Sequence, residues 1–333
     1  MDKVADPIDG RPEKIDNLIL NLPHRLPGPS SIADTGLSED FLTELAVKHI
    51  FYLGNFRMRD LCEKMLLPAW IIEPLIQKLR DEKFCEVKGG TGFQSASYQF
   101  SVTADGRRRA LEYLEKCLYT GPAPVSLEQY SRVVAGQSVS GISVNEKDII
   151  AAFSEYVVGK RIVDQLGAAV NSGRSIFLYG PAGNGKTVLA EALGGVLRDT
   201  VYIPYSIAVD NSVIRVFDPI THVPACDDGP DYDRRWVRCR RPVVLTGGEL
   251  TLEMLDLEYN PVYRFYEAPF QLKANGGLLI IDDFGRQLVR PRDLLNRWVV
   301  PLERKADFLT LHTGQKFEVP FDELVVFSTN LAP

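Results

Sequence analysis

From Ser175 to Leu193 the chain runs from an unbroken apolar stretch, Ser175-Ile176-Phe177-Leu178-Tyr179, through Gly180-Pro181-Ala182-Gly183-Asn184-Gly185-Lys186-Thr187, into Val188-Leu189-Ala190-Glu191-Ala192-Leu193. The first stretch has the composition of a buried strand and the last that of a starting helix. The residues between satisfy G-x-x-x-x-G-K-[ST] at every defined position. This constrains the fold strongly, because the motif works only where a strand feeds a helix through a tight loop. Glycines at 180, 183 and 185 let backbone N–H groups turn inward around a polyphosphate. The helix behind them offers its N-terminal dipole to the same anion. In that arrangement Lys186 reaches the β- and γ-phosphates, and the Thr187 hydroxyl is a ligand for Mg²⁺. Pro181, Ala182 and Asn184 complete the cradle.

A second pattern agrees with the first. Gly277-Leu278-Leu279-Ile280-Ile281 is continuously apolar and ends on Asp282-Asp283. Such a run suits a parallel strand covered on both faces. Ligands of such sheets bind beyond the carboxyl ends of the strands. Asp282 is thus placed to hold Mg²⁺ beside Thr187, and Asp283 to orient an attacking water.

With 333 residues the chain has room for two or three domains, and its 45% hydrophobic and 25% charged content is that of a globular protein. The net charge of −6 argues against indiscriminate nucleic-acid binding. The five cysteines, at 62, 85, 117, 226 and 239, form no C-x-x-C pair, the usage of a reducing compartment. No apolar run has the length of a bilayer span, and Met1 to Asp6 lacks a signal pattern. These features point to a cytoplasmic protein with no membrane segment.

Residues 1–36 are rich in proline and read as an extended tail, with a short apolar stretch from Asn17 to Leu22 that invites docking. Residues 37–118 read as a small α+β domain. Helices are expected over Ser38–Leu53, Arg57–Leu66 and Pro68–Asp81, strands over Phe84–Lys88 and Ser97–Val102 around Gly89-Gly90-Thr91-Gly92, and a helix from Ala104 to Leu118. Three helices followed by a two-stranded wing resemble a winged-helix domain. Residues 119–144 read as a polar linker and 145–333 as an α/β unit. Within 145–333, residues Val201 to Phe270 have no legible topology.

Residues 146–333 resemble the α/β core of an AAA+ ATPase. Four ordered features carry the likeness. Tyr156-Val157-Val158-Gly159 resembles the segment that packs on adenine, Gly180 to Thr187 matches Walker A, Leu278 to Asp283 matches Walker B, and Leu324-Val325-Val326-Phe327-Ser328-Thr329-Asn330 resembles the strand that ends on sensor 1. The alternation from Leu309 to Val319 around Thr313-Gly314 signals a hairpin before that strand, as in the MoxR-like ATPases and the bacterial enhancer-binding activators, where it often faces a pore or a remodelled partner. The resemblance implies a P-loop NTPase fold: a parallel sheet flanked by helices, binding ATP and Mg²⁺. It further implies nucleotide contacts from Val158 and Gly159, water positioning by Asp283 and Asn330, and assembly into a ring. An arginine then reaches the neighbouring subunit's site, and Arg297 and Arg304 are candidates for it; a solvated charged face is the alternative reading of Arg290, Arg297 and Arg304. Three departures stand out. Asp283 occupies the place where many relatives carry Glu, the GAFTGA loop of the activators is missing, and the sequence stops before a helical lid, as a fragment would.

The helix after Asp283 carries Leu294, Leu295, Trp298, Val299 and Leu302 as a core stripe. His222, Cys226 and Cys239 fit no zinc spacing, which leaves buried thiols and an exposed His. Residues 36–118 hold twelve acidic and twelve basic side chains, a poor electrostatic start for DNA. The third helix begins with Ala69, Trp70, Glu73 and Pro74 on its exposed side, more a protein-docking patch than a reader of base edges, though Arg107-Arg108-Arg109 could touch a backbone. The function expected is an oligomeric Mg-ATPase that remodels or regulates a protein partner recruited through the winged helix. A slow nucleotide-dependent switch and an ATP-dependent DNA-binding regulator are the alternatives.

Overall fold

The computed structural model describes residues 26–90, 98–225 and 232–330. None of the described helices is long and apolar enough to cross a membrane.

The first unit begins where Ser38 caps α1 (Glu39–Leu53), its hydroxyl accepting from the Phe41 N–H at 3.2 Å. A short strand not foreseen from the sequence, β1 (Asn55–Arg57), follows at once, then α2 (Met58–Met65) and α3 (Ala69–Asp81). Strands β2 (Cys85–Gly90) and β3 (Tyr98–Val102) come next, and β1, β3 and β2 pair antiparallel in that order. The expected Gly89–Gly92 turn falls partly outside the described residues. Helix α4 (Ala104–Leu114) is capped by Thr103 and stops short of the expected Leu118. It crosses so close to the chain at Phe84 that a Cβ on Gly106 would lie 2.1 Å from the Phe84 carbonyl oxygen, so only glycine fits there. Leu42, Leu45, Ile50, Leu61, Ile72, Leu75 and Phe100 share one core.

Residues 119–144 are not a linker. Strand β4 (Val125–Ser126) joins a sheet, and α5 (Leu127–Gly136) starts with a reciprocal cap between Ser126 and Gln129. Tyr130, Val133 and Val134 recur at helical spacing and are buried, which is why the segment folds in. After α6 (Glu146–Ala152), α7 (Lys160–Asn171), β5 (Ile176–Tyr179) and α8 (Lys186–Gly194), the chain builds the region whose topology was illegible. There β6 (Thr200–Pro204) pairs with β9 (Trp236–Arg240), while β7 (Ser206–Val209) and β8 (Ser212–Arg215) form a hairpin. Strand β10 (Val243–Thr246) enters a different sheet. β11 (Glu258–Asn260) and β12 (Phe265–Glu267) complete a mixed sheet in the order β11-β12-β8-β7-β4.

Helix α9 (Phe270–Ala274), β13 (Leu278–Ile281), α10 (Pro291–Arg304), the hairpin β14 (Ala306–Thr310) with β15 (Lys316–Pro320), and β16 (Leu324–Thr329) finish the chain. Strands β10, β13, β16 and β5 form one parallel sheet in that order. Its two faces explain the unbroken apolar runs. Leu278, Ile280 and Val326 share a core with residues of α6, α7 and α8. Leu279, Ile281, Val325 and Phe327 share another with Leu294 and Trp298 of α10. Val299, expected in that stripe, is 47% exposed. His222, expected exposed, is fully buried: Nδ1 accepts from the Asp218 N–H at 2.9 Å, and Nε2 donates to the Lys273 carbonyl at 2.9 Å. Cys226 lies outside the described residues.

One buried group gives the fold a pH dependence. His49 on α1 donates from Nε2 to the Gly121 carbonyl at 3.1 Å, and burial, helped by Lys64 and Lys48, pushes its pKa down to about 4. An unfolded histidine titrates near about 6.5. Below that pH the unfolded chain takes up a proton that the folded chain refuses until about pH 4, so stability is lost as pH falls through this window. From about pH 7 to about pH 5 the loss from this residue is expected to reach about 2 kcal/mol. Urea denaturation of wild type and His49→Gln at both pH values checks it. The variant, which keeps a donor to Gly121, should lack that part of the acid destabilisation.

Candidate active site

Strand β5 delivers Tyr179 to the loop, and α8 begins at Lys186. Gly183 and Gly185 have φ of 83° and 70°. A Cβ at either would meet nothing within 4 Å, so backbone conformation rather than space selects glycine there. Gly185 caps α8 and accepts the Leu189 N–H at 2.8 Å. The loop therefore hands the first N–H groups of α8 to whatever lies in front of them.

Sheet order gathers the predicted residues. β16 lies between β5 and β13, so Asn330, just past its end, falls between the loop and the Asp282-Asp283 pair. Thr187 Oγ1 donates to Asp282 Oδ2 at 2.7 Å. Lys186 Nζ donates to the Gly180 and Pro181 carbonyls at 3.0 and 3.1 Å and to Asn330 Oδ1. Asn330 Nδ2 donates in turn to Asp283 Oδ1 at 3.4 Å. Lys186, Thr187, Asp282, Asp283 and Asn330 thus come together. Burial alone would raise the Asp282 pKa. Hydrogen bonds from Thr187 and Ser328, the Asp283 N–H and the Lys186 charge outweigh it and hold the carboxyl below its usual value. An ionised carboxylate next to a hydroxyl is a fitting donor set for a hard divalent cation. Asp283 sits at φ 48°, a left-handed conformation uncommon outside glycine and asparagine, which re-aims its side chain relative to the strand.

Other predicted residues stand apart. Val158 and Gly159 lead into α7, which Gly159 caps. Among the described residues no hydrogen bond joins them to residues 180–187, though Tyr156 and Val157 beside them are 44% and 108% exposed. Arg297 turns to β14, where its guanidinium grips Asp307 through two bonds of 2.5 and 2.9 Å, with Asp256 at 3.7 Å. Arg304, in the last turn of α10, is exposed. The hairpin packs instead of projecting freely. Leu309, Leu311 and Val319 are buried with α5 and the β6–β9 ribbon. Gln315 at its tip donates to Asp210, and His312 stacks on Tyr259 at 4.2 Å while bonded to the Tyr266 hydroxyl.

Sequence reasoning missed the groups that fix the Asp282–Arg286 turn. Gln287 Nε2 donates to the Asp282 carbonyl at 2.7 Å, and its Oε1 accepts the Gly285 N–H at 2.8 Å. Thr329 Oγ1 donates to the Phe284 carbonyl at 2.7 Å, and the Phe284 N–H donates to Ser328 at 2.7 Å. Ser328 and Thr329 were foreseen as strand residues, and the switch from the apolar run Leu324–Phe327 to two hydroxyls at the strand's end is the one signal that could have revealed them. Gln287 offered none, because its role exists only once the loop closes.

No protein-family model matches the chain, and no curated protein sequence matches it. Solved structures give slight likenesses. NtrX from Brucella abortus is 16% identical with a TM-score of 0.31, over 53% of this chain and 31% of that one. The same protein in complex with ADP is 16% identical with a TM-score of 0.29, over 56% and 33%. A MarR family regulator from Neisseria meningitidis is 14% identical with a TM-score of 0.22, over 42% and 76%. This chain spans about a third of the length of the NtrX chains. Likenesses this slight carry no functional argument.

Proposed function

We propose that the chain binds Mg-ATP and hydrolyses it, with residues 145–333 as an AAA+ core, residues 37–118 as a winged-helix domain that recruits a protein partner, and ring assembly in the cytoplasm as its working form. The observation that carries this reading is the hydrogen-bonded cluster of Lys186, Thr187, Asp282, Asp283 and Asn330 at the carboxyl ends of three adjacent parallel strands. Lys186 and the loop N–H groups bind the phosphates. Thr187 and Asp282 would hold Mg²⁺, which supplies charge neutralisation to the transferred phosphoryl group. Asp283 orients the water and takes its proton, and Asn330 holds both Asp283 and Lys186 in place. Because most of the catalysis is positioning, the alignment of these groups matters more than any single basicity.

One observation favours a slow switch as the second reading. Asp283 has a shorter carboxylate than Glu and a left-handed backbone, and it is already engaged by Asn330. Single-turnover hydrolysis separates the two, since turnover within seconds in the absence of any partner excludes a switch. The test of the main reading is Lys186→Ala. Removing one fixed donor from a phosphoryl site is expected to lower turnover on the order of 10²–10³-fold. Asp282→Asn should weaken ATP binding with Mg²⁺ and leave Mg²⁺-free binding unchanged by calorimetry. Unaltered affinity and turnover in both variants would refute the proposal.

A further inference from the structure

Outside the candidate active site, an apolar groove of about 710 Å³ opens where the α2–α3 turn meets residues 27–29 and 232–234. Pro27, Pro29, Met58, Leu66 and Trp70 line it, together with the charged Arg59, Glu63 and Arg234. Trp70 is 60% exposed, although its Nε1 donates to the Pro29 carbonyl at 3.1 Å. A tryptophan fixed by its polar atom with its ring in the open is the anchor of a docking site. The chain itself supplies one wall of the groove, because Leu26 is buried and its carbonyl accepts the Asp233 N–H at 2.9 Å.

We propose that the groove takes the chain's own residues 15–22. Ile15, Leu18, Ile19, Leu20 and Leu22 put five apolar side chains into that short stretch, and only residues 23–25 separate it from the anchored Leu26. At about 3.6 Å per residue, Leu22 lies within about 14 Å of Leu26. So short a tether gives the segment an effective concentration near the millimolar range, and ordering it costs less than capturing a free peptide. The docked segment covers Trp70 and the start of α3. Any other ligand of this face, a partner protein or DNA, has to displace it. The inference does not depend on nucleotide chemistry.

Acrylamide quenching of intrinsic fluorescence tests it in the full chain. Trp236 and Trp298 are 3% and 0% exposed, so Trp70 supplies the quenchable signal, and Trp70→Phe confirms that assignment. In wild type the Trp70 contribution is expected to be protected. Replacing both Leu18 and Ile19 with Asp should raise its quenching roughly threefold as the indole returns to its 60% exposure. A synthetic peptide of residues 13–24 added to that variant should restore protection. Both substitutions lie outside the described core, and unchanged far-UV circular dichroism confirms that the fold is intact. Equal quenching of wild type and variant would overturn the proposal. Protection that appears only as protein concentration rises would also overturn it, since the segment would then come from a second copy.

Discussion

Replacing Arg304 with alanine is expected to lower ATP turnover on the order of 10³-fold or more, the scale of an arginine finger, while nucleotide affinity stays nearly unchanged. The expectation rests on the proposed ATPase reading and on a choice the structure makes possible. Arg297 and Arg304 are seven residues apart on α10, but Arg297 is half-buried and committed to Asp307 and Asp256. Withdrawing it for a neighbour's phosphate would leave Asp307, itself 1% exposed, without its charge partner. Among the described residues no ion pair holds Arg304, which is exposed. Ground-state contacts come from residues 180–187, so binding survives while the transition state loses a charge. Mixing Arg304→Ala with Lys186→Ala protein should restore part of the activity, because each supplies what the other lacks at mixed interfaces. Steady-state turnover across mixing ratios reads this out. No rescue, with mixed oligomers shown by mass spectrometry, would assign Arg304 a role within its own subunit.

Arg235→Ala is expected to destabilise the fold by about 3–5 kcal/mol. Arg235 is 1% exposed and forks onto Asp233 at 2.8 and 3.0 Å. Its Nη1 also donates to the Thr35 and Pro124 carbonyls at 2.7 and 3.1 Å, and Nη2 to Gln129 at 3.4 Å. One guanidinium therefore binds the turn before α1, the segment entering β4, the start of α5 and the strand β9 region. Truncation leaves Asp233 buried and unpaired and orphans two carbonyls. Lysine cannot reproduce the planar fork, so Arg235→Lys should recover little. Replacing both members, Arg235→Met with Asp233→Leu, should cost less than either single change, since no charge is then left stranded. Urea denaturation curves of wild type, the two Arg235 variants, the double variant and its two single changes give the comparison; Arg235→Ala within about 1 kcal/mol of wild type would sink the argument.

The loop from Gly180 to Thr187 and the run ending on Asp282-Asp283 were legible because their chemistry is local. Strand, glycines, lysine and helix follow one another along the chain, and the period and composition of a few residues state what they can do. The first helices were read for the same reason, to within a few residues at their ends. The tract 119–144 was misread because its polar caps, Ser126 and Gln129, dominated over three apolar residues whose burial depends on a distant sheet. Val243 to Thr246 went unassigned because a four-residue apolar run has no period to distinguish strand from helix until Leu278–Ile281 lies beside it.

Residues 175–193 and 277–283 thus specified the chemical parts from their own order. Their assembly was a matter of contact between residues far apart in the chain. Inserting β16 between β5 and β13 is what brings Asn330 to both Lys186 and Asp283. Asp307 on β14 is what engages Arg297 within its own chain. Packing of Leu309, Leu311 and Val319 is what turns an alternating sequence into a hairpin held against the body of the protein. Patterning along the chain reports which side chains seek burial or charge. The neighbour that satisfies each is set by the closing of long loops, whose cost is nearly indifferent to which residues they join.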